Sequence, residues 1–201
     1  MPLTPEILTA NSEVVARLRS LDVSFEPDEE PWFTIDGIES PRHIGSDGSG
    51  SAFVLLPSQN VLYVSSEGRA GIIAESFDAL IQLISARPYW RDILKFSGGG
   101  DLAEMRRAAD ALEARLQDED DVSEAREQIR GALALAEADD PVGALYEAVA
   151  ASDAIVRATD GSPFTTLFNR FSIDIARPCA PRRREGEGCR EDVHLSPAGR
   201  G

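Results

Sequence analysis

Between Ile44 and Ile84 one stretch holds what most limits the fold of this chain: turn glycines, two short apolar runs and an amphipathic helix. Ala52 to Leu56 and Val61 to Ser65 are both apolar, with Pro57-Ser58-Gln59-Asn60 between them. Runs of that length read as strands, and so short a loop commonly joins antiparallel neighbours, so the spacing predicts a hairpin. Glu67-Gly68-Arg69-Ala70-Gly71 reads as a further turn and Ile72 to Ala74 as a brief third strand. Phe77, Leu80, Ile81 and Ile84 then recur at i, i+3, i+4 and i+7, the period of one helix face. A helix from about Ser76 laid across the strands closes a core. The expected fold class is α+β: a small antiparallel meander sheet with packing helices, followed by an α-helical C-terminal extension.

Gly45, Gly48 and Gly50 invite comparison with a phosphate-cradling loop. Such a loop needs a helix N-terminus directly after it, often with a lysine, whereas Ala52 to Leu56 is strand-like. The glycines therefore read as turn positions of positive φ. Gly45-Ser46-Asp47-Gly48-Ser49-Gly50 is no nucleophile elbow either. His43 and His194 both fall in predicted loops. An acid–base pair of His43 and Asp47 is the less favoured reading, and the favoured one has no catalytic, cofactor-binding or metal residues.

The flanks add helices. Thr4 and Pro5 suit a helix start, and Ile7, Leu8, Val14, Val15, Leu18 and Leu21 give one buried face from Pro5 to about Leu21. Glu26-Pro27-Asp28-Glu29-Glu30-Pro31 cannot continue it and reads as a solvated acidic loop. Trp32 to Ile35 is strand-like and ends at the turn pair Asp36-Gly37. Pro88 opens a short helix in which Tyr89, Trp90, Ile93 and Leu94 supply core surface. Ser97-Gly98-Gly99-Gly100 then marks an internal boundary, dividing a domain over 1–97 from a helical extension over 101–176. Asp101 with Glu104 caps a helix that runs to about Leu116. Asp118-Glu119-Asp120-Asp121 lacks the spaced ligands and central glycine of a calcium loop and reads as a charged turn. Ser123 to Ala138 and Pro141 to Thr159 read as two more helices, and Phe164, Leu167, Phe168 and Phe171 as a final apolar cluster. Residues 177–201, Pro-, Gly- and Arg-rich with Arg182-Arg183-Arg184, read as a disordered tail.

The cysteines, Cys179 and Cys189, both lie in that tail. With His194 they offer three ligands where a structural zinc site wants four with a close Cys pair, so neither metal nor cofactor is expected. The N-terminus lacks the basic and apolar regions of a secretory signal, and no run of about 18 apolar residues exists to span a bilayer, which places the chain in a cytoplasm. Its 35 Asp and Glu against 20 Lys and Arg give a formal charge of −15. Such a field repels nucleic acid and anionic lipid; its plainer reading is that it keeps the protein soluble, and it would also speed encounter with a basic protein.

Ile44-Gly45-Ser46-Asp47-Gly48-Ser49-Gly50, the strand with Phe53, Val61-Leu62-Tyr63-Val64, and Ile73-Ala74-Glu75-Ser76-Phe77-Asp78-Ala79-Leu80-Ile81 together resemble the SUKH superfamily (Smi/Knr-like). There a glycine-rich turn leads into an antiparallel meander, and a Ser-Phe pair starts the closing helix. The Leu-Pro pair that many members carry ahead of the glycine turn is absent here, and the helices after Asp101 lie outside the resemblance. The resemblance implies a non-enzymatic binding domain, similar to bacterial immunity proteins that neutralise toxins, often nucleases, or to fungal regulatory scaffolds in cell-wall signalling. The first reading predicts a basic toxin domain as partner, met by Glu26, Asp28, Glu29, Glu30, Asp118, Glu119, Asp120 and Asp121. The alternative is an intracellular adaptor unconnected with toxins.

Overall fold

Strands in which nearly every side chain is apolar must be covered on both faces, and the architecture follows from that demand. A computed structural model describes residues 3–26, 31–38, 41–116, 120–136 and 138–173. Along them run α1 (Pro5–Thr9), α2 (Ser12–Ser20), β1 (Val23–Ser24), β2 (Phe33–Ile35), β3 (Arg42–Asp47), β4 (Ala52–Leu55), β5 (Val61–Ser65) and β6 (Arg69–Ala74). There follow α3 (Phe77–Ala86), α4 (Trp90–Lys95), α5 (Leu102–Leu116), α6 (Asp120–Ala132), α7 (Pro141–Ala150) and β7 (Val156–Ala158). Five strands form an antiparallel sheet in the order β1-β3-β4-β5-β6, with Phe53 opposite Tyr63 and Val54 opposite Leu62. Side chains alternate along each strand. Phe53, Leu55, Val61, Tyr63 and Ile73 therefore join the helices in one core, while Ala52, Val54, Leu62, Val64 and Ile72 line the other face. That second face is covered by a two-stranded sheet of β2 and β7, which lays Phe33, Ile35 and Val156 on it.

The predicted hairpin is present, and α3 starts where the period placed it, with the Ser76 hydroxyl accepting from the Ala79 amide at 3.1 Å. Phe77, Leu80, Ile81 and Ile84 are all buried, as are Tyr89 and Trp90. Asp101 caps α5 by accepting from the Ala103 and Glu104 amides at 2.8 and 3.3 Å. Buried side chains on both sides of Ser97-Gly98-Gly99-Gly100 share one cluster, Trp90 and Ile93 before it, Met105, Ile129, Leu145 and Leu167 after it.

Several expectations need correction. The helix expected from Pro5 to Leu21 is two helices. The Asn11 side chain accepts from the Val14 amide at 3.2 Å, and that local bond competes with helical continuation and starts α2 afresh. Gly45 and Gly48 do not take positive φ; of the three turn glycines only Gly50 does, at +78°. Gly45 lies within β3, where a Cβ would sit 2.2 Å from the Ser24 carbonyl oxygen of the neighbouring strand. The strand expected at Ile72 begins at Arg69, because Thr165 pairs with the outer edge of β6: the Ala70 amide donates to the Thr165 carbonyl at 2.8 Å. The helix expected over Ser123 to Ala138 runs from Asp120 to Ala132. The one expected over Pro141 to Thr159 stops at Ala150, since the Ser152 hydroxyl accepts the Ile72 amide at 3.0 Å and Val156 is drawn into pairing with Ile35. Finally, the Phe164 to Phe171 cluster is divided: Phe164 packs on the second face, Leu167 and Phe168 on the helical core, and Phe171 is 44% exposed. The tail after Ala176 lies outside the described residues.

Candidate functional site at the glycine-rich turn

The turn between β3 and β4 is built by its aspartate. Asp47 accepts from the Ser49 amide at 2.9 Å, the Ser49 hydroxyl at 2.6 Å and the Ser51 amide at 3.2 Å, while Gly50 supplies the positive φ. These bonds turn the carboxylate inward, where its side chain is fully buried. There the Tyr63 hydroxyl donates to it at 2.6 Å and Arg91 Nη1 at 2.7 Å. The other Arg91 terminal nitrogen donates to Asp22 at 2.9 Å, so one guanidinium bridges the end of α2 and the turn. Trp90 holds the Tyr63 ring edge-on, with centroids 4.9 Å apart.

The electrostatics follow from burial and pairing. Burial alone would raise the Asp47 carboxyl, but the hydrogen bonds from Ser49 and Tyr63 and the Arg91 charge hold it below the ordinary aspartate value. Burial, and then the bond to Asp47, push the Tyr63 phenol up. For Arg91 burial works against the charge, and is outweighed by Asp22 and Asp47, which raise it further. At neutral pH the cluster is a fixed charge pair with a neutral phenol. Every Asp47 oxygen is engaged, so the carboxylate is better suited to holding the turn against α4 than to accepting a proton.

A cleft of about 420 Å³ opens beside this cluster, with Tyr63, Trp90 and Arg91 in its wall and Ser49 at its rim. His43 does not belong to it. His43 lies opposite Val54 and Gly45 opposite Phe53, so a bulge at Ile44 shifts the register. The bulge leaves His43 on the second face, beside Trp32 and Phe33 in a separate hollow of about 270 Å³, whereas Asp47 meets Tyr63 on the first. The structure does not bring His43 and Asp47 together, and an acid–base pair of the two is set aside.

Of the predicted acidic contact residues, Asp28, Glu29, Glu30, Asp118 and Glu119 lie outside the described residues. Glu26 is paired with Arg19, Asp120 opens α6, and Asp121 is exposed. Helix α2 packs along α6, and Arg17 comes to 3.9 Å from Glu124, one turn beyond Asp121. Among the described residues no group of three or more His, Cys, Asp or Glu could hold a metal ion, and no helix is long and apolar enough to cross a membrane. Cys179, Cys189 and His194 lie outside them.

Sequence reasoning missed the Asp47–Tyr63–Arg91 cluster. Part of its signal was available, since Asp47-Gly48-Ser49-Gly50 is an aspartate turn and a tyrosine in an apolar strand needs a partner for its hydroxyl. Nothing local marks Arg91, which is 44 residues from Asp47 along the chain. No family model matches this chain, and no curated protein and no solved structure matches it. The likeness to SUKH domains therefore rests on the residues quoted for it.

Proposed function

We propose that the chain is a non-catalytic protein-binding domain acting in the cytoplasm, whose acidic surface receives a basic partner. In the specific form that the SUKH resemblance implies, the partner is a bacterial toxin domain, a nuclease among the possibilities, neutralised by direct binding. The observation that carries the reading is an acidic ridge on α6. Asp121, Glu124 and Glu127 stand exposed at i, i+3 and i+6, and Arg17 comes to 3.9 Å from Glu124. Elsewhere Arg42, Arg106, Arg107 and Arg157 are already paired with carboxylates, on a chain with 35 acidic against 20 basic residues. A ridge of that kind accelerates docking of a positively charged protein and does little for phosphate ligands.

Co-expression with candidate basic toxin domains, taken first from neighbouring genes, tests this. A complex should survive purification, and it should weaken with added salt. Reversing Asp121, Glu124 and Glu127 to lysine should slow association by about tenfold or more. Cells that die equally with and without the chain, together with no complex at low salt, would remove the toxin reading. Association unaffected by the triple reversal would remove the ridge from it.

A further inference from the structure

The cleft beside the Asp47 cluster has a property that the acidic ridge does not explain. Two cations on its rim, Arg69 and Lys95, have no carboxylate within 4.0 Å among the described residues, on a chain with 15 more acidic than basic side chains. Glu67 and Asp92 belong to the same rim and still pair with neither. Arg69 is held in place through Nη1 alone, which donates to the Thr166 and Phe168 carbonyls at 3.3 and 3.4 Å. Its Nε and Nη2 have no hydrogen-bond partner among the described residues, while the Lys95 ammonium rests 5.8 Å from the centroid of the Phe96 ring. Arg91 is neutralised by Asp22 and Asp47 and serves as fixed wall. Below the rim the lining turns apolar, with Leu94 and Leu167, and Phe171 stands 44% exposed at the mouth.

We propose that this cleft binds a small organic carboxylate with an apolar body. Its volume of about 420 Å³ falls in the range of small-molecule sites, roughly 300–1,000 Å³. The guanidinium fork of Arg69 matches a carboxylate in two-point contact, and Lys95 adds a point charge. The body of the ligand covers Leu94, Leu167 and Phe171. Glu67 and Asp92 favour a singly charged head group over a phosphate dianion, because each further negative charge on the ligand meets both of them.

Calorimetric titration of the full chain with 4-phenylbutyrate, 4-phenyl-1-butanol and sodium sulfate separates the parts of this proposal. Phenylbutyrate should bind one-to-one with a Kd of roughly 1 mM or tighter. The alcohol, lacking the charge, and sulfate, lacking the body, should each bind about tenfold more weakly or not at all. Lys95→Gln and Arg69→Gln should each weaken phenylbutyrate by about tenfold, while Arg115→Gln on α5 should leave it unchanged. Lys95 is exposed, so its variant stays informative if loss of Arg69 disturbs folding. No saturable heat up to about 10 mM, equal affinity for acid and alcohol, or an unaffected Lys95→Gln variant would each overturn the assignment. None of these outcomes bears on the acidic ridge.

Discussion

Replacing Asp47 with alanine tests whether the glycine-rich turn is held by charge. The carboxylate is fully buried and takes five hydrogen bonds, from Ser49 twice, Ser51, Tyr63 and Arg91. Breaking a buried pair by removing one member costs about 3–5 kcal/mol. Here the lower end applies: the Arg91 side chain is 29% exposed and keeps Asp22, so water meets part of its need. The Tyr63 side chain is only 5% exposed, so without Asp47 its hydroxyl has little beyond the Ser51 hydroxyl to turn to, which accounts for about 1–3 kcal/mol of the loss. Urea unfolding at pH 7 should therefore show Asp47→Ala destabilised by about 3 kcal/mol with an unchanged m value. Tyr63→Phe should lose about 1.5 kcal/mol, and the double variant should fall short of the sum by about 1–2 kcal/mol, because the stranded hydroxyl is gone. The pH dependence has a definite sign. The folded-state pKa of Asp47 is lowered, so its contribution is complete above the unfolded value of about 3.9 and is lost as pH falls through the lower folded value. The gap between the parent chain and Asp47→Asn should hold from neutral pH to about 5 and close only in acid. A loss below about 1 kcal/mol for Asp47→Ala, or strict additivity with Tyr63→Phe, would refute the reasoning.

Further outcomes follow from packing and backbone geometry. Gly45→Ala places a Cβ 2.2 Å from the Ser24 carbonyl oxygen and 2.9 Å from Phe25 Cα, and should lose about 3 kcal/mol or more by thermal or urea unfolding. Gly50→Ala meets open space and has only its φ of +78° to bear, so about 1–2 kcal/mol is expected; equal losses at the two sites would contradict the distinction. Phe77→Ala removes a ring 4% exposed and packed edge-on against Phe25 at 5.2 Å, and should lose about 3–5 kcal/mol; under about 1 kcal/mol would put α3 outside the core. Leu167→Ala, 5% exposed and placed where a Cβ on Gly71 would come to 3.2 Å from it, should lose about 2–4 kcal/mol if residues 163–171 are integral to the fold, and almost nothing if they are an appendage.

What was legible in the sequence was what periodicity and local chemistry dictate. The i, i+3, i+4, i+7 pattern gave α3, the paired apolar runs gave β4 and β5, and Asp101 with Glu104 gave the start of α5. What was missed came from distance along the chain. The segment after Ala150 is rich in alanine and continues a helical pattern, but Val156 pairs with Ile35 because the second face of the sheet needs cover. Gly45 looked like a turn because a glycine required by close approach of a neighbouring strand is indistinguishable, by type, from one required by φ. The same holds for the site: Asp47 and Tyr63 could have been suspected, whereas Arg91 enters only once α4 has folded back over the turn.

The pairing of β2 with β7 carries a consequence for how the chain is made. Asp36 and Arg157, bound side chain to side chain across these strands, are 121 residues apart, and Phe164 arrives later still. During synthesis the helical core can assemble around β3 to β6 while Val54, Leu62 and Val64 wait on the other face without their cover. Contacts that distant form slowly, since the closing loop must be ordered before they stabilise anything. The nascent domain thus presents an apolar β-sheet surface until almost its whole length has left the ribosome. That interval is when a chaperone would engage it, and when crowding with its own copies carries the greatest risk of aggregation.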